Sequence, residues 1–121
     1  MPSSRAKPAI KPIDRRRRRH ARYRADFRVT VSCFLGDAYQ MLEGHCRDLS
    51  EAGIAILLAT ELSVGDVTGL SFSIPGSALP WEVRAVVRYR RGYHFGLEFL
   101  SLTKEHRASL SSYFNGLEPI D

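Results

Sequence analysis

From Phe27 to Phe99 the chain alternates apolar and polar residues in short runs, and turn-forming residues interrupt each run. Few folds accept that pattern. Phe27, Val29, Val31 and Cys33 fall on one face and Arg28, Thr30 and Ser32 on the other, the two-residue period of a half-buried strand. Gly36-Asp37 supplies a turn, and residues 39–47 return as a second strand. Ile54 to Leu58 is a short apolar run suited to a buried strand, and Gly65-Asp66 turns the chain again. Leu70, Phe72 and Ile74 alternate as far as Pro75-Gly76, where the strand stops because proline cannot donate to a ladder. Trp81, Val83, Ala85, Val87 and Tyr89 form the apolar face of a further strand, Arg91-Gly92 reverses it, and Tyr93, Phe95, Leu97 and Phe99 alternate in the last one. Six short strands joined by turns predict a mainly β, antiparallel barrel or sandwich.

Only the end of the chain has a different period. Leu102, His106, Leu110, Tyr113/Phe114 and Leu117 recur at three- and four-residue steps, which predicts one amphipathic helix packed on the barrel. Ser101 or Thr103 can cap its start, and Asn115-Gly116 can stop it.

The 121 residues suffice for one compact domain. Residues 1–14 carry three prolines and no apolar period, and read as a flexible lead. The formal net charge of +5 is divided unevenly. Residues 1–28 hold eleven Lys or Arg against Asp14 and Asp26, a balance of +9, whereas the remaining residues balance at −4. A mildly acidic body with a strongly basic arm predicts an anionic partner at the arm. With neither an apolar run of membrane-spanning length nor the apolar core of a secretory signal, the chain is expected in the cytoplasm, with Cys33 and Cys46 reduced and buried. A Cys33–Cys46 bridge stays geometrically open. His45, His94 and His106 are scattered and form no metal triad, and no grouping of nucleophile, base or acidic cluster asks for catalysis; the expectation is no enzyme, no metal and no cofactor.

Two segments carry recognition chemistry. Arginine presents a planar fork that grips phosphate oxygens in pairs, lies flat on a base and pairs with the guanine O6/N7 edge, and the run Arg15 to Arg19 with Arg22 supplies several. The second is Asp48-Leu49-Ser50-Glu51-Ala52-Gly53, between two predicted strands. Asp48 can accept from a guanine N1–H and amine, Ser50 can donate or accept, and Gly53 permits positive φ or close backbone approach. Taken singly, each has a plainer reading: a solvated basic tail or nonspecific nucleic-acid arm, and a polar turn whose Asp and Ser bond nearby backbone.

Together, Arg18-Arg19-His20-Ala21-Arg22 followed by Asp48-Leu49-Ser50-Glu51-Ala52-Gly53 resembles the RxxxR and D/NxSxxG signature of the PilZ domain family. Val64-Gly65-Asp66-Val67, Phe95-Gly96-Leu97-Glu98-Phe99 and the terminal helix extend the resemblance across residues 15–116. Arg15/Arg19 and Arg24/Arg28 share the arginine spacing; Arg18/Arg22 is preferred because Tyr23 and a strand follow it. Ala52 stands where the family often has glycine.

The resemblance implies a six-stranded antiparallel barrel with a C-terminal helix and a basic N-terminal arm. The domain would span residues 15–118: a ligand-wrapping segment at 15–26, the barrel at 27–100 and the helix at 101–116. It implies a receptor for cyclic di-GMP, one molecule or two stacked, that changes conformation and signals to an effector protein. Arg17, Arg18 and Arg22 would meet phosphates and guanine, Asp48 and Ser50 would hold a guanine edge, and Gly53 would keep the surface open. A monomer or weak dimer is expected. The rival readings are a small nucleic-acid-binding barrel using the basic arm, an interaction protein that keeps the fold without the ligand, and an arm docked on anionic lipid. Trp81 is expected in the core, and Arg88, Arg90 and Arg91 on a solvated face.

Overall fold

The computed structural model describes residues 20–77 and 80–120. Its strands are β1 (Arg22–Leu35), β2 (Ala38–Ser50), β3 (Gly53–Leu57), β4 (Val67–Phe72), β5 (Trp81–Arg91) and β6 (His94–Phe99), followed by helix α1 (Lys104–Phe114). All pairings are antiparallel, and the strands close into a barrel in the order β1-β2-β3-β6-β5-β4. The barrel and terminal helix expected from the alternation are thus present. The closing seam is short, with Thr30, Val31 and Ser32 of β1 facing Ser71, Leu70 and Gly69 of β4.

Inward-pointing residues of every strand fill the barrel, among them Val29, Val31, Cys46, Ile56, Leu70, Val87 and Phe95, all at most 2% exposed. Trp81 lies in the core as expected, between Phe72 and the His106 ring (centroids 5.4 and 4.3 Å). Both thiols are free and buried. Burial raises the pKa of each, helped by the carboxylates of Asp48 and Asp26 at Cys46 and of Asp66 at Cys33, so both stay protonated and unreactive.

Helix α1 covers the barrel end where β1 and β5 begin. Thr103 is its N-cap: the Thr103 hydroxyl accepts from the His106 N–H (3.0 Å) and His106 Nδ1 accepts from the Thr103 N–H (3.2 Å). Histidine takes the place usual for Glu or Gln in a capping box, worth about 1 kcal/mol. Leu110 and Phe114 are buried beneath the helix, each contributing roughly 1.5–3 kcal/mol, and Phe114 stacks on Tyr23 of β1 at 4.2 Å.

Two departures from the alternation matter. Pairing begins at Arg22, opposite Ser50, ahead of Phe27 where the alternation becomes visible. In β5 the register shifts between Val87 and Tyr89, so Arg88 is an extra residue and Tyr89 turns outward instead of continuing the apolar face of Val87. Tyr93, also expected inward, is exposed one residue before β6 starts.

Sheet closure depends on how near β3 can come to β6. Gly53 pairs with Glu98, and a Cβ at Gly53 would sit 2.3 Å from the Leu97 carbonyl oxygen. The contact is with backbone, which cannot swing away. Gly53→Ala is therefore expected to destabilise the fold by about 1–3 kcal/mol, in line with other overpacked sites, read as a lowered midpoint in urea at unchanged slope. An unchanged midpoint would show that the two strands can separate at no cost.

Candidate functional site

The N-terminal ends of β1 and β3 and the C-terminal ends of β2 and β6 meet on the outer wall beside α1. Here an open cavity of about 410 Å³ is lined by Arg22, Asp48, Ser50 and Gly53 on one side and by Arg88, Tyr89 and Glu98 on the other. Of the residues expected from the sequence, the fold gathers Arg22, Asp48, Ser50 and Gly53; Arg17 and Arg18 lie outside the described residues.

Each is placed by the sheet. Arg22 faces Ser50 and Arg24 faces Asp48 across the β1/β2 ladder. A bulge at Arg47 shifts the β2/β3 register so that Asp48 lies opposite Ala55. A second bulge, at Arg88 in β5, bounds the cavity on its far side. Bulges re-aim side chains, and these two set the opposite walls of one cavity.

The Arg22 Nε is buried and has no hydrogen-bond partner among the described residues. A buried guanidinium N–H without an acceptor is costly, and Arg22 is one of the residues that line the cavity. Across the cavity, Arg88 Nε donates to Glu98 Oε1 at 2.6 Å. Both side chains are about half exposed, so the pair adds little stability; it orients a second guanidinium towards the same space.

Ser50 and Gly53 have local work. The Ser50 hydroxyl accepts from the Ala52 and Gly53 N–H groups, both at 3.1 Å, and donates to the Gly53 carbonyl at 3.4 Å. The Phe99 N–H in turn donates to the Ala52 carbonyl at 2.9 Å. Ser50 thus closes the β2–β3 turn, and the turn is tied to β6. At Gly53, the backbone approach anticipated from the sequence is to Leu97, as the sheet requires. Gly53 is absent from the positive-φ glycines.

Tyr89 is the residue that the alternation hides. Its ring lies over Gly96, where a Cβ would fall 1.9 Å from the ring, so this glycine makes room for a flat aromatic surface. Tyr89 remains 45% exposed and lines the cavity. The only sequence signal was Gly96 itself, a glycine within an otherwise apolar strand. The neighbouring arginines divide. Arg88 faces the cavity, whereas Arg90, expected to be solvated, packs over Phe95 at 5.4 Å and bonds Glu61 and the Leu62 carbonyl. Its work is to fasten the loop before β4. Among the described residues, no three His, Cys, Asp or Glu side chains converge as a metal site, and no helix is long and apolar enough to cross a membrane.

The model of the PilZ domain matches residues 16–116. No curated protein matches the chain. Among solved structures, it is similar to the PilZ domain with c-di-GMP of YcgR from Escherichia coli, with TM-score 0.64 and 20% identity over 84% of this chain and 91% of that one. It is also similar to the Bacillus subtilis inhibitor of motility MotI/DgrA, with TM-score 0.60 and 21% identity over 79% of this chain and 48% of that one. At these identities the two structures speak for the fold, and with the family match over most of the length, the chain belongs to the PilZ domain family.

Proposed function

We propose that this protein is a receptor for cyclic di-GMP that binds the dinucleotide in the cavity between Arg22 and Tyr89. The observation that carries the reading is a cavity lined by Arg22, whose Nε has no hydrogen-bond partner among the described residues, by a carboxylate, Asp48, and by an exposed ring, Tyr89. Those three groups match the three parts of the ligand. Arg22 takes a phosphate oxygen or the guanine O6/N7 edge. Asp48 accepts from the guanine N1–H and exocyclic amine. Tyr89 offers the base a stacking face. Family membership and the c-di-GMP named with the YcgR domain support the same ligand class.

Ser50 and Gly53 serve this site through its shape: they hold the turn and the close β3–β6 spacing that bring Asp48 opposite Arg88. Arg17 and Arg18 precede β1, and their proposed role is to bring further charge onto the phosphates as the arginine segment draws across the cavity. The resulting change in shape and charge is the signal, read by an effector protein.

Calorimetric titration at physiological salt tests the ligand, with GTP and a short single-stranded DNA as controls. Saturable binding of cyclic di-GMP alone is expected, weakened roughly ten- to a hundred-fold by Arg22→Ala, which removes one charged hydrogen bond, and by about a hundred-fold or more by Asp48→Ala, which removes two. Binding to DNA that falls steeply with salt, without dinucleotide binding, would replace this reading with the nucleic-acid one.

Tyr89→Ala should weaken binding by about ten-fold, while Tyr89→Phe, which keeps the ring, should stay within about two-fold of the original. Equal losses in both variants would assign the contribution to the hydroxyl and remove stacking from the mechanism.

Saturating ligand should also slow tryptic cleavage within Arg15 to Arg19. Unchanged cleavage under saturation would leave the receptor without the proposed movement of its arm.

A further inference from the structure

Helix α1 is followed by a short segment that returns to the start of β1. Asn115 ends the helix, its N–H donating to the Ser111 carbonyl at 3.1 Å. Gly116 then takes a φ of +86°, in the left-handed region that favours glycine, and the Leu117 N–H donates to the Phe114 carbonyl at 3.0 Å. Pro119, with its fixed φ, suits an extended approach. Ile120 forms an antiparallel bridge with Arg22, and its N–H donates to the Arg22 carbonyl at 2.7 Å. Ile120 lies past residue 116, so the bridge falls outside the part of the chain that the family match covers.

The bridge holds a residue that the barrel itself holds poorly. Arg22 is the first residue of β1, and strand ends fray. On the β2 side it lies opposite Ser50. The two backbone polar groups of a strand residue point to the same side, so a carbonyl turned to Ile120 leaves Arg22 and Ser50 as a non-hydrogen-bonded pair. Bonds to β2 then begin at Tyr23, which pairs with Leu49. On the other side, β4 joins β1 only at Thr30, Val31 and Ser32. Among the described residues, the Ile120 bridge is the one pairing on that side ahead of the seam. Tyr23 in turn stacks on Phe114 at 4.2 Å, so α1 and the segment after it grip two consecutive residues of β1.

We propose that Ile120 is a positioning residue for the dinucleotide: its N–H fixes the backbone of Arg22, and thereby the point from which the guanidinium reaches the cavity. The role rests on the receptor reading above and deepens it. Ile120 is not among the residues that line the cavity, and it acts through Arg22. The bond is to the carbonyl, which leaves the Arg22 side chain available to ligand. With the bridge closed, the anchor is already ordered when cyclic di-GMP arrives. With it open, the ligand must order the strand end as well, and apparent affinity falls in proportion to the ordered fraction. One backbone hydrogen bond biases that fraction by roughly three- to ten-fold.

Ile120→Pro removes the N–H, and Ile120→Val keeps it. Amide hydrogen exchange of the full chain without ligand, followed residue by residue, reads the bridge directly. In Ile120→Pro, exchange should quicken about three- to ten-fold at Arg22 and Tyr23, and less at Leu110 of α1 and Val31 of the barrel. A general loss of stability would quicken all four alike and would overturn the local role. Calorimetric titration with cyclic di-GMP should show affinity roughly three- to ten-fold lower for Ile120→Pro and within about two-fold of the original for Ile120→Val. If the original chain binds and Ile120→Pro binds equally well, the positioning role falls and the receptor reading stands. Equal losses in both variants would also overturn the role, by assigning the effect to the side chain. No binding by the original chain would remove the receptor reading and this role with it, whatever exchange shows at Arg22.

Discussion

The approach of Gly53 to the Leu97 carbonyl is the constraint on which the barrel and its site both rest. A side chain there would push β3 off β6, and β3 joins the hairpin half of the sheet to β6 and β5. The turn that delivers Gly53 is held by the Ser50 hydroxyl at one end and by the Phe99 N–H at the other. Ser50 and Gly53 thus read most directly as architecture. Within the motif, the serine and glycine build the rim and the aspartate lines the cavity.

The charges around the cavity divide by burial. Arg88 and Glu98 neutralise each other in water at little net gain, so either can change partner cheaply when an anion arrives. Arg22 is different. Its Nε is already out of water and has no acceptor among the described residues, so the desolvation cost has been met before any ligand binds. In the proposed complex, a phosphate or guanine oxygen that the guanidinium turns to meet gains a charged hydrogen bond with less desolvation left to set against it. In the proposed site, that asymmetry makes Arg22 the anchor and Arg88 the adaptable contact.

Much of this was legible in the sequence. Alternation located the strands, the helical period located α1 with Thr103 as its cap, and two motifs pointed to four residues that the fold does bring to one cavity. The remainder was hidden by features without a local signature. A bulge inserts one residue without changing the kinds of residue around it, so Val87 and Tyr89 look alike in the sequence yet face opposite ways. Arg90 and Arg88 likewise share a polar-face pattern, but only long-range packing gives Arg90 its Phe95 ring and Glu61 carboxylate. Arg22 belongs to β1 because Ser50 pairs with it across the hairpin, and no alternation around Arg22 shows that. Arg17 and Arg18 lie outside the described residues, and their part in the site rests on the motif.

β1 joins two surfaces with different physics. At one end it carries Arg22, whose Nε is buried and has no partner among the described residues; at the other it carries Phe34, exposed and uncharged. Between them the strand is pinned to β4 by only three residue pairs, whereas its ladder with β2 runs nearly its full length. The β1–β2 hairpin is thus held to the rest of the barrel by this short seam on one side and by the pairing of His45 to Leu49 with β3 on the other. A small twist imposed at Arg22 would be carried along that ladder more readily than it would be absorbed at the seam. On this geometry, a displacement imposed at one end of β1 would reach the other end along its ladder with β2.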